Sequence, residues 1–330
     1  MARYGVRLET DPRLTPQDCQ ELARRAEDLG YESVWLPEGH SRDAFTSLAV
    51  MALNTQRVKL GTGIIQVFGR TASNTAMAAA GMQAISGGRF ILGLGVGHGP
   101  NVESWDGVPF RQPITRLRET IQIARGLLSG ERVEFSGKQF KVSGASLDAA
   151  APPDKVPIYI AALGPQMLEM AGELADGVLM NWPTASFLPQ AVEHVKRGAE
   201  KAGRDISEID IAGYVRVAVG DDLEALRTGL RGQVVRQAGL PYYSNMFKAA
   251  GFEEEIEAVS QALAAGDTQK AMRAVTIEMQ DQVAVVGSAS RCREQFEVRR
   301  AAGLQLPVVA PFTVGDTNAS HRSAIDALAP

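Results

Sequence analysis

Short runs of β-branched and other apolar residues alternate with longer stretches of helical periodicity along the chain, the pattern of βα units wound around a parallel sheet. The first run, Tyr4–Leu8, is followed by Thr15-Pro16-Gln17-Asp18. That segment reads as a helix start, with a threonine cap, proline at the first helical position and an acid at the third. Leu22, Ala26 and Leu29 then share one helical face, and Gly30 ends it. Further strands are predicted over 33–36, 58–62, 90–94, 158–161, 177–180, 209–219 and 307–312, with helices over 44–54, 74–85, 114–128, 165–175, 187–202 and 319–328. Residues 131–156 read as an excursion of two short β segments, 132–135 and 139–142, ending at the proline pair Pro152-Pro153. The helical stretch 223–300 is too long for one crossover and predicts an insertion near 240–275. Eight strands in step with helices predict a closed (β/α)8 TIM barrel, one domain over 1–330 carrying insertions near 131–156 and 240–275. An open doubly wound sheet would need a G-x-G-x-x-G after its first strand. Here Leu8-Glu9-Thr10-Asp11-Pro12 follows, without a glycine.

Composition narrows the partners. With 45% hydrophobic and 22% charged residues the chain can fill a large core, and a net charge of −4 argues against nucleic acid or an anionic membrane. The two cysteines, Cys19 and Cys292, each fall in a helical pattern and read as small buried hydrophobes of a reducing compartment. The start Met1-Ala2-Arg3-Tyr4 has no signal-peptide core, and no apolar run reaches the roughly 18 residues of a membrane span. A cytoplasmic protein is expected.

In parallel barrels the reacting groups lie at the C-terminal strand ends. Those ends offer Glu9 after strand one, Glu38 and His40 after strand two, His98 after strand four and Asn181 after strand six. A histidine titrating near neutrality suits proton transfer. His194 and His321 fall in helices and read as solvated or packing residues. Gly61 and Gly63 share one face of strand three, and Gly93, Gly95 and Gly97 one face of strand four. Together they predict a side-chain-poor slot that would admit a flat ring. Gly164-Pro165 opens a helix whose free N–H groups could hold a phosphate. H-E-x-x-H, His-x-His and G-x-S-x-G are all absent, so a metal site is not expected.

The stretch Ser86-Gly87-Gly88-Arg89-Phe90-Ile91-Leu92-Gly93-Leu94-Gly95-Val96-Gly97 resembles the region around strand four of bacterial luciferase-like flavin and deazaflavin oxidoreductases. Leu29-Gly30-Tyr31, Lys59-Leu60-Gly61-Thr62-Gly63-Ile64, Pro157-Ile158-Tyr159-Ile160-Ala161 and Gly172-Glu173-Leu174-Ala175-Asp176-Gly177 agree, and the likeness spans nearly the whole chain. Gly164-Pro165-Gln166-Met167-Leu168 and Val285-Val286-Gly287 are most similar to coenzyme F420-dependent reductases of the methylenetetrahydromethanopterin reductase type. The resemblance implies a homodimeric oxidoreductase that exchanges hydride between F420 and a small organic substrate. It implies a cis peptide at Gly63-Ile64, phosphate contacts from Ala162, Leu163 and Gly164, and Asn181 at a matching strand end; with the glycine slot of Gly61 and Gly63, Ile64 and His98 are then assigned to the cofactor site. Proton transfer would fall to His40 or Glu38, with Glu9 orienting the substrate. An FMN-dependent luciferase-like monooxygenase and a non-catalytic flavin-binding protein are the competing readings. Three departures set the chain apart from the pterin reductases: Gly39 separates Glu38 from His40, His98 replaces an aspartate and Arg7 a glutamate.

Overall fold

A computed structural model describes residues 3–148, 152 and 154–330; Pro153, half of the expected proline connector, lies outside the described residues. Eight parallel strands form a closed ring: β1 (Gly5–Arg7), β2 (Ser33–Leu36), β3 (Lys59–Thr62), β4 (Phe90–Gly95), β5 (Ile158–Ala161), β6 (Gly177–Asn181), β7 (Asp210–Val219) and β8 (Leu306–Pro311). Each pairs with its neighbours in chain order. The ring closes where Gly5 and Val6 of β1 face Val308 and Val309 of β8. This is the expected (β/α)8 barrel.

Around it lie α1 (Pro16–Asp28), α2 (Ala44–Leu53), α3 (Ala72–Ser86), α4 (Pro113–Leu128), α5 (Pro165–Leu174), α6 (Leu188–Lys201), α7 (Ala289–Ala301) and α8 (Thr317–Ala327). The predicted cap of α1 is formed: the Asp18 backbone N–H donates to Thr15 Oγ1 at 3.1 Å, and the Thr15 N–H donates to Asp18 Oδ2 at 2.8 Å. The strands are apolar on both faces because helices cover the outside and side chains fill the inside. Trp35, Ile91, Tyr159, Leu179, Tyr214 and Val308 make that inner layer. At the opposite end from the mouth, Arg3 bridges Glu32 and Asp210, so the barrel opens for chemistry at its C-terminal end.

Two short strands were not expected. Ile65–Gln66 runs along β4 just past β3, and Val285–Gly287 pairs with the end of β7 inside the stretch read as helical. Between β7 and that strand lie five helices: Leu223–Ala238, Pro241–Ala249, Glu253–Ala264, Thr268–Ala274 and Ile277–Val283. After α4, Val133–Ser136 and Lys141–Ala145 form an antiparallel hairpin, a little later than predicted. The buried Glu119 on α4 fixes its turn, its carboxylate accepting from the N–H groups of Lys138, Gln139 and Phe140 at 2.7, 2.9 and 2.9 Å.

Candidate active site

The C-terminal strand ends open into a cavity of about 890 Å³, a size ordinary for small-molecule sites. Its wall brings together six of the expected residues: Glu38 and His40 after β2, Gly63 and Ile64 after β3, His98 after β4, and Asn181 at the end of β6. The Gly63–Ile64 peptide is cis, at the bond the resemblance implied. Ala161 also lines the cavity. Ala162, Leu163 and Gly164 follow it but stay out of the wall; Ala162 is buried and Gly164 is exposed at the start of α5.

The glycine slot is corrected by the structure. A Cβ on Gly61 would lie 2.4 Å from the Trp35 indole, one on Gly93 1.9 Å from the Thr62 carbonyl oxygen, and one on Gly95 2.8 Å from Ile64 Cδ1. These glycines make room for neighbours that fill the barrel. Gly61 therefore belongs to the interior packing and not to the ligand wall. The open space lies one layer higher, with Ile64 as part of its floor.

Charge and burial give the cavity its chemistry. Arg70 Nη2 donates to Glu38 Oε1 at 2.8 Å and also contacts Asp43, the N-cap of α2. Burial pushes the Glu38 carboxyl above the usual range, and the negative Asp43 beside it works in the same direction; together they outweigh Arg70, which pulls the other way. His40 is exposed and stacks on the Trp105 indole with ring centres 4.3 Å apart. Burial lowers the pKa of His98 and favours its neutral ring, whose Nδ1 is buried without a partner. Asn181 Nδ2 donates to Tyr243 Oη at 2.7 Å, which leaves Asn181 Oδ1 buried and unpartnered. His98 and Asn181, each with a buried polar atom lacking a partner, both line this cavity, and buried polar atoms without partners call for a ligand or water.

Glu9 lies elsewhere, in an adjoining chamber of about 430 Å³ that meets the mouth cavity at Arg7 and Asn181. Its carboxylate accepts from Arg7 and Arg216 at 3.1 and 3.0 Å, and these two charges hold its pKa down against burial. Of the helical histidines, His194 contacts Glu169 and Arg197, whereas His321 is fully buried and not solvated.

Sequence reasoning missed Arg70, Trp105, Tyr214, Arg216 and Tyr243. For Tyr214 and Arg216 a signal was present: Ala212, Tyr214, Arg216 and Ala218 share one phase of β7, and a polar pair on the inward phase of a barrel strand marks a site. Tyr243 comes from the inserted helix 241–249 and has no such local signature.

The family model for luciferase-like monooxygenases matches residues 1–306. The chain therefore belongs to the luciferase-like family. It is 36% identical over 300 residues to the 5,10-methylenetetrahydromethanopterin reductase of Methanolobus tindarius, covering 89% of each chain. To the F420-dependent glucose-6-phosphate dehydrogenase of Amycolatopsis mediterranei it is 32% identical over 243 residues, covering 68% of this chain and 71% of that protein. Among solved structures, the coenzyme F420-dependent tetrahydromethanopterin reductase of Methanopyrus kandleri superposes with a TM-score of 0.86 at 28% identity, covering 99% of this chain and 97% of that one.

Proposed function

We propose that this protein is an oxidoreductase that exchanges hydride between coenzyme F420 and a small organic substrate in the mouth cavity. The observation that carries the reading is that His98 and Asn181, whose Nδ1 and Oδ1 are buried without partners, line one cavity together with Ile64. The donor set fits a deazaflavin: an apolar side chain for the ring face, an amide oxygen for a ring N–H, and a neutral imidazole for a polar edge. The start of α5, uncapped by any side chain, suits the phosphate beside Leu163 and Gly164. Bound F420 supplies or accepts the hydride. Glu38 is the acid–base group for the accompanying proton, its carboxyl shifted above the usual range chiefly by burial, and Arg70 fixes its position. His40 is the second candidate acid–base group at the same rim, held by its stack on Trp105.

Parallel titrations with F420 and FMN, followed by tryptophan fluorescence, test the cofactor. Saturation by F420 is expected; saturation by FMN with no response to F420 reverses the assignment. In Glu38→Gln, F420 affinity should hold while turnover falls about 10²–10⁴-fold, the usual span for loss of an acid–base group.

We place the protein in the cytoplasm, as one domain and as a homodimer. The buried free thiols Cys19 and Cys292 suit a reducing compartment, and no helix of the described residues is long and apolar enough to cross a membrane. The neighbouring helices α2 and α3 expose Leu53 at 72%, Met77 at 60% and Ile85 at 47%, an apolar face suited to a second copy. Sedimentation should give the dimer mass for the parent and the monomer mass for Leu53→Lys; a parent that sediments as a monomer removes the homodimer.

A further inference from the structure

The chamber beside the mouth has a charge balance that the hydride-transfer reading leaves unused. Four arginines and two carboxylates line it. Arg13 is spent on Asp11 through three hydrogen bonds. That leaves Arg7, Arg216 and Arg236 against Glu9 alone. Arg7 and Arg216 donate to the same oxygen, Glu9 Oε1. Arg236 is exposed on helix 223–238 and makes no ion pair among the described residues.

Arg216 is the centre of this arrangement. It is 7% exposed, its Nη2 is held by Glu9 and Gln233 at 3.0 and 2.8 Å, and its Nε is buried with no partner. Its guanidinium lies 5.5 Å from the ring centre of Trp182, which is itself buried and held at φ 60° just after β6. A buried guanidinium with an unpaired N–H and half a counter-ion is a strong anion receptor, because it has already lost its water. Gly232, also in the chamber wall, leaves room: a Cβ there would meet nothing within 4 Å.

We infer that this chamber receives an oxyanion of the substrate, a carboxylate or a phosphate carried at the end away from the carbon that exchanges hydride. The inference rests on the reading of the mouth as the hydride-transfer site. Arg7 and Asn181 line both spaces, so a single molecule can place its reacting end beside Glu38 and its anionic end beside Arg216. The chamber is built from β1, the ends of β6 and β7, and helix 223–238. The expected cofactor phosphate contacts, Ala162, Leu163 and Gly164, follow β5 and none of them lines the chamber, so the two anion sites share no residue. Arg7 stands where the pterin reductases carry a glutamate, and the substrate should differ from theirs accordingly.

The test is a fluorescence titration of the full-length protein with inorganic phosphate and, separately, with acetate, at constant ionic strength held by chloride. Trp182 in the chamber wall is the reporter. At least one ion should saturate, phosphate marking a phosphoryl substrate and acetate a carboxylate. Arg216→Gln should weaken that ion about tenfold or more. Arg236→Gln, an exposed position whose replacement leaves the core intact, should weaken it severalfold without changing F420 affinity. Saturation by neither ion, or affinities unchanged in both variants, overturns the inference. F420 binding in the parent is measured alongside. Its loss with oxyanion binding kept rejects the cofactor reading alone, and the reverse result rejects the chamber alone.

Discussion

At the scale of single residues, a glycine on a barrel strand has two opposite meanings, and the neighbours decide between them. Gly61 looked like an opening because it removes a side chain from β3. The Trp35 indole from β2 occupies that space, and a Cβ at Gly61 would meet three of its ring atoms at 2.4, 2.6 and 2.9 Å. Trp35 cannot yield easily, since it is fully buried and its Nε1 donates to Ser33 Oγ at 2.8 Å. Gly61→Ala should therefore act as overpacking and cost about 1–3 kcal/mol, read as a lower urea midpoint, while F420 affinity per folded molecule stays the same. Unchanged stability with lost cofactor binding would restore the slot. Gly232→Ala is the natural control: its Cβ meets open space inside a helix, where replacing glycine gains up to about 1 kcal/mol.

At the scale of elements, the barrel was legible because its strands are buried on both faces and bounded by turn residues. Ser33–Leu36 and Ile158–Ala161 fall where the pattern put them. Strand Val285–Gly287 escaped because three residues show too little alternation to stand out between the helices that flank it. The hairpin was seen but misplaced by one to three residues, since its register depends on Glu119, a contact about twenty positions away. The site followed the same division. Residues at strand ends, such as Glu38, His98 and Asn181, were found because barrel topology alone sends them to the mouth. Arg70 and Tyr243 were not, because their places depend on how a loop and an inserted helix fold back over the ring. Glu9 was found as a residue but given the wrong surroundings: its neighbours Arg7 and Arg216 assign it to the second chamber.

At the scale of the whole molecule, the buried histidines tie stability to pH. Burial lowers the pKa of both His98 and His321 in the folded protein, the Thr317 carbonyl bonded to His321 Nδ1 at 2.9 Å only partly offsetting it. In the unfolded chain each titrates near 6.5. Below that value the unfolded state binds the protons first, so stability present at pH 7.5 falls as pH drops toward the folded pKa values. Fully buried His321 can contribute at most about 1.4 kcal/mol per pH unit in this window, and the partly solvated His98 less. Asp176 and Glu27, whose pKa values are lowered, weaken the fold only under more acidic conditions. Glu38 runs the other way, its raised pKa favouring the folded state as it takes up a proton, and this offsets part of the loss under acidic conditions. Urea midpoints should accordingly decline from pH 7.5 to 5.5, and His321→Gln should flatten the decline whatever it does to absolute stability. Protonated His321 would add a third positive charge beside Arg7 and Arg216, both of which already depress its pKa. A slope that survives His321→Gln unchanged would place the titrating group outside this charged wall.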